Sequence, residues 1–279
     1  MSRRREVKTI YADEVREYMR KHRESDYQLI DVREPREYSD GHVPGAKLIP
    51  LGELPDRIPE LTHGVDLLFY CRSGKRSRMA ASIVADSNIN ARSIYTMEGG
   101  ILAWDGRPIE DFPQVKLFSG IKDMTEILKL AMDLEKGAWI FYSSILKKYP
   151  ESKMSPAAKA LVKLERTHAK TIFNILKKRS TDKPVTQDFD DYFDQLKGDI
   201  IEGGETVEQA IEKVRDFDPD DCLSFGELAL DIEYKAYDMY KNLYYDTENE
   251  DEKKIFQDLS EQEKGHALVV ARLIGKCME

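Results

Sequence analysis

Tyr70-Cys71-Arg72-Ser73-Gly74-Lys75-Arg76-Ser77 lies between two different apolar periodicities. Before it, residues 65–70 include Leu67, Leu68 and Phe69, a run that predicts a short buried strand. After it, Met79, Ala80, Ala81, Ile83, Val84 and Ala85 carry the spacing of a helix. Cys71 therefore falls in a tight turn that feeds a helix N-terminus. Successive N–H groups in such a turn make an anion cradle, and the helix dipole reinforces it. Arg72, Lys75 and Arg76 add positive charge around the thiol. All of these favour thiolate over thiol, so Cys71 reads as a nucleophile. A buried core cysteine is the alternative, but it requires neither three cations nor a glycine beside it.

Working outward, the first part of the chain alternates short apolar runs with helical spacing. Strands are predicted over 8–10, 28–32, 47–49, 65–70 and 93–96, and helices over 12–21, 51–61 and 75–86. Such alternation predicts an α/β domain with a largely parallel sheet. Ligand sites in such folds lie at the carboxyl ends of strands, where Cys71 is placed.

Three motifs carry a family resemblance. Leu29-Ile30-Asp31-Val32-Arg33-Glu34 leads to Glu37-Tyr38 and Gly41-His42-Val43-Pro44-Gly45-Ala46; the Cys71 loop follows, then Glu98-Gly99-Gly100 with Ala103-Trp104. Over about residues 6–110 the chain resembles the single-domain rhodaneses. The resemblance implies a sulfurtransferase in which Cys71 takes sulfur from a small anionic donor such as thiosulfate, forms a persulfide, and passes the sulfur to a thiol, cyanide or a protein acceptor. It implies catalytic roles for Cys71, Arg72 and Arg76, and donor binding by Ser73, Gly74, Lys75 and Ser77. Asp31 and Arg33 are expected to pair and brace the loop, and His42 to pack within its turn. A related branch of the fold handles phosphate on a loop with five residues between Cys and Arg. Here four separate Cys71 from Arg76, which favours sulfur.

The 279-residue chain has room for two domains. Residues 1–118 hold 19 Lys+Arg and 19 Asp+Glu, whereas residues 119–279 hold 24 and 33, so the net charge of −9 belongs to the second part. Neither part is basic enough to suggest nucleic acid, and no apolar run approaches a membrane span. Cys71, Cys222 and Cys277 are far apart and form no C-x-x-C pair. That pattern predicts a reducing, cytoplasmic setting in which Cys222 and Cys277 are ordinary thiols.

From Met124 onward the spacing is helical. A helical stripe runs from Met124 to Ile145, and further helices are expected over 155–178, 224–245 and 252–276, with Ser155 as N-cap ahead of Pro156. The connection 180–223 is expected to hold one short helix, over 206–217, and the acidic stretch 188–194 to be a solvated loop with two or three aromatic anchors. Four long helices with one long connection predict an all-α, ferritin-like four-helix bundle over 119–279, following the α/β domain of 1–118.

An internal repeat sharpens this. Ala131, Glu135, Ala138 and Tyr142 recur 98 residues later as Ala229, Glu233, Ala236 and Tyr240. Leu161, Glu165, His168 and Ala169 recur at the same offset as Leu259, Glu263, His266 and Ala267. Glu135 and Glu233 sit on apolar stripes, and each Glu-x-x-His pair shares one helix face. Four carboxylates and two imidazoles in a bundle core are costly as bare groups. A metal centre resolves that cost, with Glu135, Glu165, His168, Glu233, Glu263 and His266 as ligands. Charges on solvated faces are the alternative for one such motif, but two in register with two core glutamates disfavour it.

Residues 120–276 resemble the rubrerythrin family of ferritin-like proteins. That resemblance implies two iron ions, no organic cofactor, and redox chemistry on peroxide or oxygen. Two departures stand out: paired C-x-x-C knuckles are absent, and the sequence offers no obvious additional carboxylate ligand. An external electron donor is therefore expected. The combined reading is a cytoplasmic sulfurtransferase fused to a di-iron region, with no nucleic-acid or membrane partner and compatible with a homodimer. The alternatives are a peroxide-reducing oxidoreductase with an accessory rhodanese, or a non-catalytic sulfur or iron carrier.

Overall fold

The computed structural model describes residues 5–121, 123–180 and 184–277. They form two compact units, one comprising the chain through Pro113 with Tyr240–Glu261, the other Gln114–Met239 with the chain from Gln262 onward. No helix of the described residues is long and apolar enough to cross a membrane.

The first unit is built on a five-stranded parallel sheet: β1 (Val7–Tyr11), β2 (Tyr27–Asp31), β3 (Lys47–Leu48), β4 (Asp66–Tyr70) and β5 (Ser93–Glu98), in the order β1-β5-β4-β2-β3. Every residue of β2 and β4 is buried, whereas β1 at one edge keeps a largely exposed pattern. Parallel strands covered on both faces need such continuous apolar runs. The covering helices are α1 (Ala12–Lys21), α2 (Pro35–Ser39), α3 (Leu54–Arg57) and α4 (Lys75–Ala85). The helix expected over 51–61 divides into α3 and a 3-10 turn at Ile58–Glu60. Pro59 lacks the N–H that would continue the helical ladder.

The chain beyond is largely helical: α5 (Met124–Lys148), α6 (Ser155–Arg179), α7 (Phe189–Gln195), α8 (Val207–Lys213), α9 (Cys222–Asp246) and α10 (Glu250–Cys277). In the second unit, Ala138, Phe141, Tyr142 and Ile145 of α5 share one core with Leu161 of α6, Phe225, Ala229 and Ile232 of α9, and Val270 of α10.

Three local expectations are corrected. The N-cap of α6 is Met154, because the Ser155 hydroxyl donates to the Pro150 carbonyl at 2.9 Å instead of capping the helix. The acidic stretch is helix α7: Asp188 accepts from the Asp191 amide at 2.9 Å as its cap, and Asp190 and Asp191 suit the dipole. Phe189 and Phe193, four apart and both buried, hold that helix to the protein. Cys222 and Cys277 are paired as a disulfide with Cα atoms 5.8 Å apart, joining the start of α9 to the end of α10. Distance in sequence does not measure distance in space, so cysteine spacing does not argue for a reducing compartment here.

Candidate functional site

Cys71 leaves β4 at its carboxyl end, and its side chain is buried beneath the turn that opens α4. Gly74 caps α4 with φ +91°, a left-handed conformation that glycine adopts without steric cost. The turn closes through a 3.2 Å bond from the Gly74 amide to Cys71 Sγ. Ser77 donates its hydroxyl to the Gly74 carbonyl at 3.1 Å and lies 2.9 Å from Thr96 Oγ1, which fixes the turn to β5. Burial would raise the Cys71 thiol, but the amides of Ser77, Ser73 and Gly74 outweigh it and hold the thiol below its ordinary 9.0. The segment after β5 clamps the loop from outside: the Ile101 amide donates to the Cys71 carbonyl at 2.8 Å, and Leu102 to the Arg72 carbonyl at 3.2 Å.

The three cations do not act alike. Arg72 and Lys75 are exposed. Arg76 forms a two-bond fork with Glu37, both contacts 2.7 Å, so its charge is already matched. The fork holds Glu37 down to about 2 and ties α2 to α4. Glu37 lies within the first motif, yet nothing in its spacing marks it as the partner of Arg76. Below the loop, Asp31 accepts from the Arg33 side chain at 2.6 Å and from its amide at 2.9 Å. Arg33 also donates to the Gly41 carbonyl at 2.8 Å, and the Val32 amide to that of Tyr70 at 3.0 Å. This pair therefore braces the base of the loop. His42 is buried, stacked on Tyr38 with centroids 3.7 Å apart.

The second cluster lies wholly within the second unit. Glu135 from α5, Glu165 and His168 from α6, Glu233 from α9, and Glu263 and His266 from α10 are all buried, with exposures of 0–9%. Glu202, at 3%, joins them from the connection between α7 and α8. The donor atoms of the seven residues fall into three groups: His168, Glu263 and His266; Glu165, Glu233 and His266; and, with Glu202, Glu135 and Glu263. Glu263 and His266 are each shared by two groups, so the seven residues form one connected set.

The connection reaches the cluster because α5 lets its backbone come close. Asp133 Oδ1 accepts from the amides of Lys197 at 2.9 Å and Gly198 at 3.2 Å. At Gly137 a side chain would meet the Ile200 carbonyl carbon at 2.8 Å and the Ile201 amide at 3.3 Å, so only glycine admits this approach. Glu202 then sits at the tip of a loop closed by the Val207 amide on the Asp199 carbonyl at 3.0 Å. Glu202 corrects the expectation that no further carboxylate is present. It has no counterpart in the 98-residue repeat, and its loop carries no periodicity to mark it.

Burial and like charge dominate the electrostatics of the cluster. Burial raises Glu135 and Glu165 well above 4.5, aided for Glu135 by Glu202 and Glu263 and for Glu165 by Glu233 and Glu135. Burial, with Glu263 beside it, pushes Glu202 up to about 8. For Glu263 burial is overcome by His168 and His266, which bring it to about 2. Burial likewise fails to lower His266, which Glu263 and Glu233 raise to about 11. His168 Nδ1 lies 2.7 Å from Glu135 Oε1 and 2.9 Å from Glu263 Oε1, but neither approach has hydrogen-bond alignment. Both Glu135 oxygens, Glu165 Oε1, Glu202 Oε1 and both His168 nitrogens are also buried without a hydrogen-bond partner. Donor atoms that crowd a common space without bonding one another fit a bound cation. Tyr142 donates to Glu233 Oε1 at 3.3 Å and steadies that carboxylate.

Residues 12–107 match the family described as Rhodanese-like domain. A sulfurtransferase of Allochromatium vinosum is 35% identical over 86 residues, covering 30% of this chain and 78% of that protein. An HTH-type transcriptional regulator of Mycobacterium tuberculosis is 37% identical over 97 residues, and the chain spans 34% of itself but only 42% of that relative. The crystal structure of a rhodanese-like domain protein from Staphylococcus aureus is 29% identical with a TM-score of 0.33, covering 37% of this chain and 99% of that one. Through residues 12–107, the chain belongs to the rhodanese-like family.

Proposed function

We propose that the chain is a sulfurtransferase that carries sulfur as a persulfide on Cys71, joined to a ferritin-like, rubrerythrin-like region that holds two iron ions. The observation that carries the first half is the amide cradle around Cys71 Sγ, which favours a thiolate inside a loop too short for phosphate. The thiolate attacks the outer sulfur of thiosulfate; the donor's S–S bond breaks and sulfite leaves with its electron pair. The outer sulfur of the resulting persulfide is held by the same amides. A nucleophilic acceptor, cyanide or a thiol, then takes that sulfur and Cys71 leaves as thiolate. Arg72 and Lys75 draw in the anionic donor, while Arg76 acts through Glu37 to hold the loop. Thiosulfate:cyanide transfer by the purified protein tests this; activity that persists in Cys71→Ala refutes it.

A second activity at the helical region is favoured by the seven-residue cluster, whose buried, unbonded donors fit a pair of iron ions. Iron held there would supply electrons to a peroxide or oxygen substrate. The protein orients the donors through Glu135, Glu165, His168, Glu202, Glu233, Glu263 and His266, keeps water out by burial, and steadies Glu233 through Tyr142. An external electron donor is part of this reading. An iron-loaded sample whose spectrum does not respond to peroxide counts against this activity.

A further inference from the structure

Among the seven cluster residues, six are 0–3% exposed and His266 is 9% exposed, so the cluster has one edge nearer to solvent than the rest. That edge forms part of the lining of a groove of about 300 Å³ between α6 and α10, within the second unit, which His168 also lines. Ala160, Leu164 and Val269 supply hydrocarbon walls, and Lys163 and Gln262 line the groove as well. Thr167 and Thr171 line it as well, but each donates its hydroxyl to its own helix, to the carbonyls of Lys163 at 2.7 Å and Thr167 at 3.1 Å. The opposing helix presents Gly265, whose missing side chain would meet nothing within 4 Å. Most of the exposed lining is hydrocarbon, so a small uncharged molecule lies against it at lower cost than an ion that has to give up water there.

We propose that this groove, left open at Gly265, is the route by which a small uncharged oxidant of the hydrogen peroxide class reaches the carboxylate–histidine cluster. The inference rests on the reading of the cluster as an iron centre. Gly265→Leu is the test, because the new side chain projects into open groove space and a helical glycine is a poor helix former. Gly275→Leu is the control on the same helix, also with nothing within 4 Å of the added carbon.

Iron content is measured first, then each ferrous-loaded protein is mixed with hydrogen peroxide and its absorbance followed. One peroxide takes two electrons, one from each ferrous ion, and two protons, leaving as two waters. The expected result is equal iron content in all three proteins, a parental rate in Gly275→Leu, and a rate lower by about tenfold or more in Gly265→Leu, a barrier rise of about 1.4 kcal/mol. Gly265→Ala should fall between. A readout without iron accompanies it: dissolved dioxygen, a paramagnetic uncharged probe, should broaden the Val269 methyl resonances of the metal-free parent and spare them in Gly265→Leu. A parent that binds iron while Gly265→Leu reacts at the parental rate overturns the route alone. Reduced iron content in Gly265→Leu also overturns it, since residue 265 would then act on the ligands. A parent that binds no iron overturns the centre and the route together.

Discussion

Replacing Gly137 by alanine should destabilise this protein, although the same change in an isolated helix would stabilise it. Gly137 lies inside α5, where exchange of glycine for alanine is worth about 1 kcal/mol in favour of the helix. Here the added carbon would stand 2.8 Å from the Ile200 carbonyl carbon, and the neighbour is backbone that cannot rotate away. Carbon–carbon contacts favour roughly 3.5–4.0 Å, so helix and connection must separate by about 1 Å. Overpacking of that kind costs about 1–3 kcal/mol, and partial exposure of Ile201, now 1% exposed, adds a share of the roughly 1.5–3 kcal/mol its burial contributes. The expected net effect is a loss of about 1–3 kcal/mol. Gly265→Ala meets nothing and should gain up to about 1 kcal/mol. Urea unfolding of the two metal-free variants, compared at a common m-value, reads the difference directly. Gly137→Ala should also bind iron more weakly, since the same displacement carries Glu202 away from Glu135 and Glu263. Equal stabilisation by both substitutions, with iron binding unchanged, would refute the idea that the connection is seated through Gly137.

Alkylation of Cys71 by iodoacetamide should follow a pH profile with its midpoint below 9.0, because the loop amides outweigh burial; a midpoint at or above 9.0 would remove the cradle from the account. The Glu37–Arg76 fork holds Glu37 at about 2 against 4.5 when unfolded, so its contribution is complete above pH 4.5 and is lost as pH falls toward 2. Glu37→Gln should therefore cost about 1 kcal/mol at pH 7, the pair being part-exposed, and nothing at the acid end; a cost that does not change with pH would point to packing. Iron loading at pH 7 should release protons into a lightly buffered solution, since Glu135 and Glu165 are raised well above 4.5, Glu202 to about 8 and His266 to about 11. Binding without proton release would contradict those directions.

What could be read from the residues alone follows from how each feature is encoded. The Cys71 loop is contiguous, and its chemistry needs only the strand before it and the helix after it. The six helical donors are legible because they are three positions, each printed twice, 98 residues apart. Glu202 is single, and what brings it inward is a glycine on another element, a relation that no periodicity records. The fork from Arg76 spans 39 residues to an ordinary surface-type Glu. The aromatic anchors of 188–194 are legible, but four aspartates in seven residues leave no apolar stripe to mark a helix; in space Asp188 caps α7 and Phe189 and Phe193 are buried. The pairing of Cys222 with Cys277 depends on two helices returning to one end, which their separation of 55 residues does not disclose.

The central claim is that sulfur rests on Cys71. Intact-protein mass measurement after exposure to thiosulfate, before and after cyanide, tests it most directly. The account predicts one added sulfur atom on the parent, removed by cyanide, and none on Cys71→Ser. Equal sulfur on the variant, or none on the parent, would contradict it.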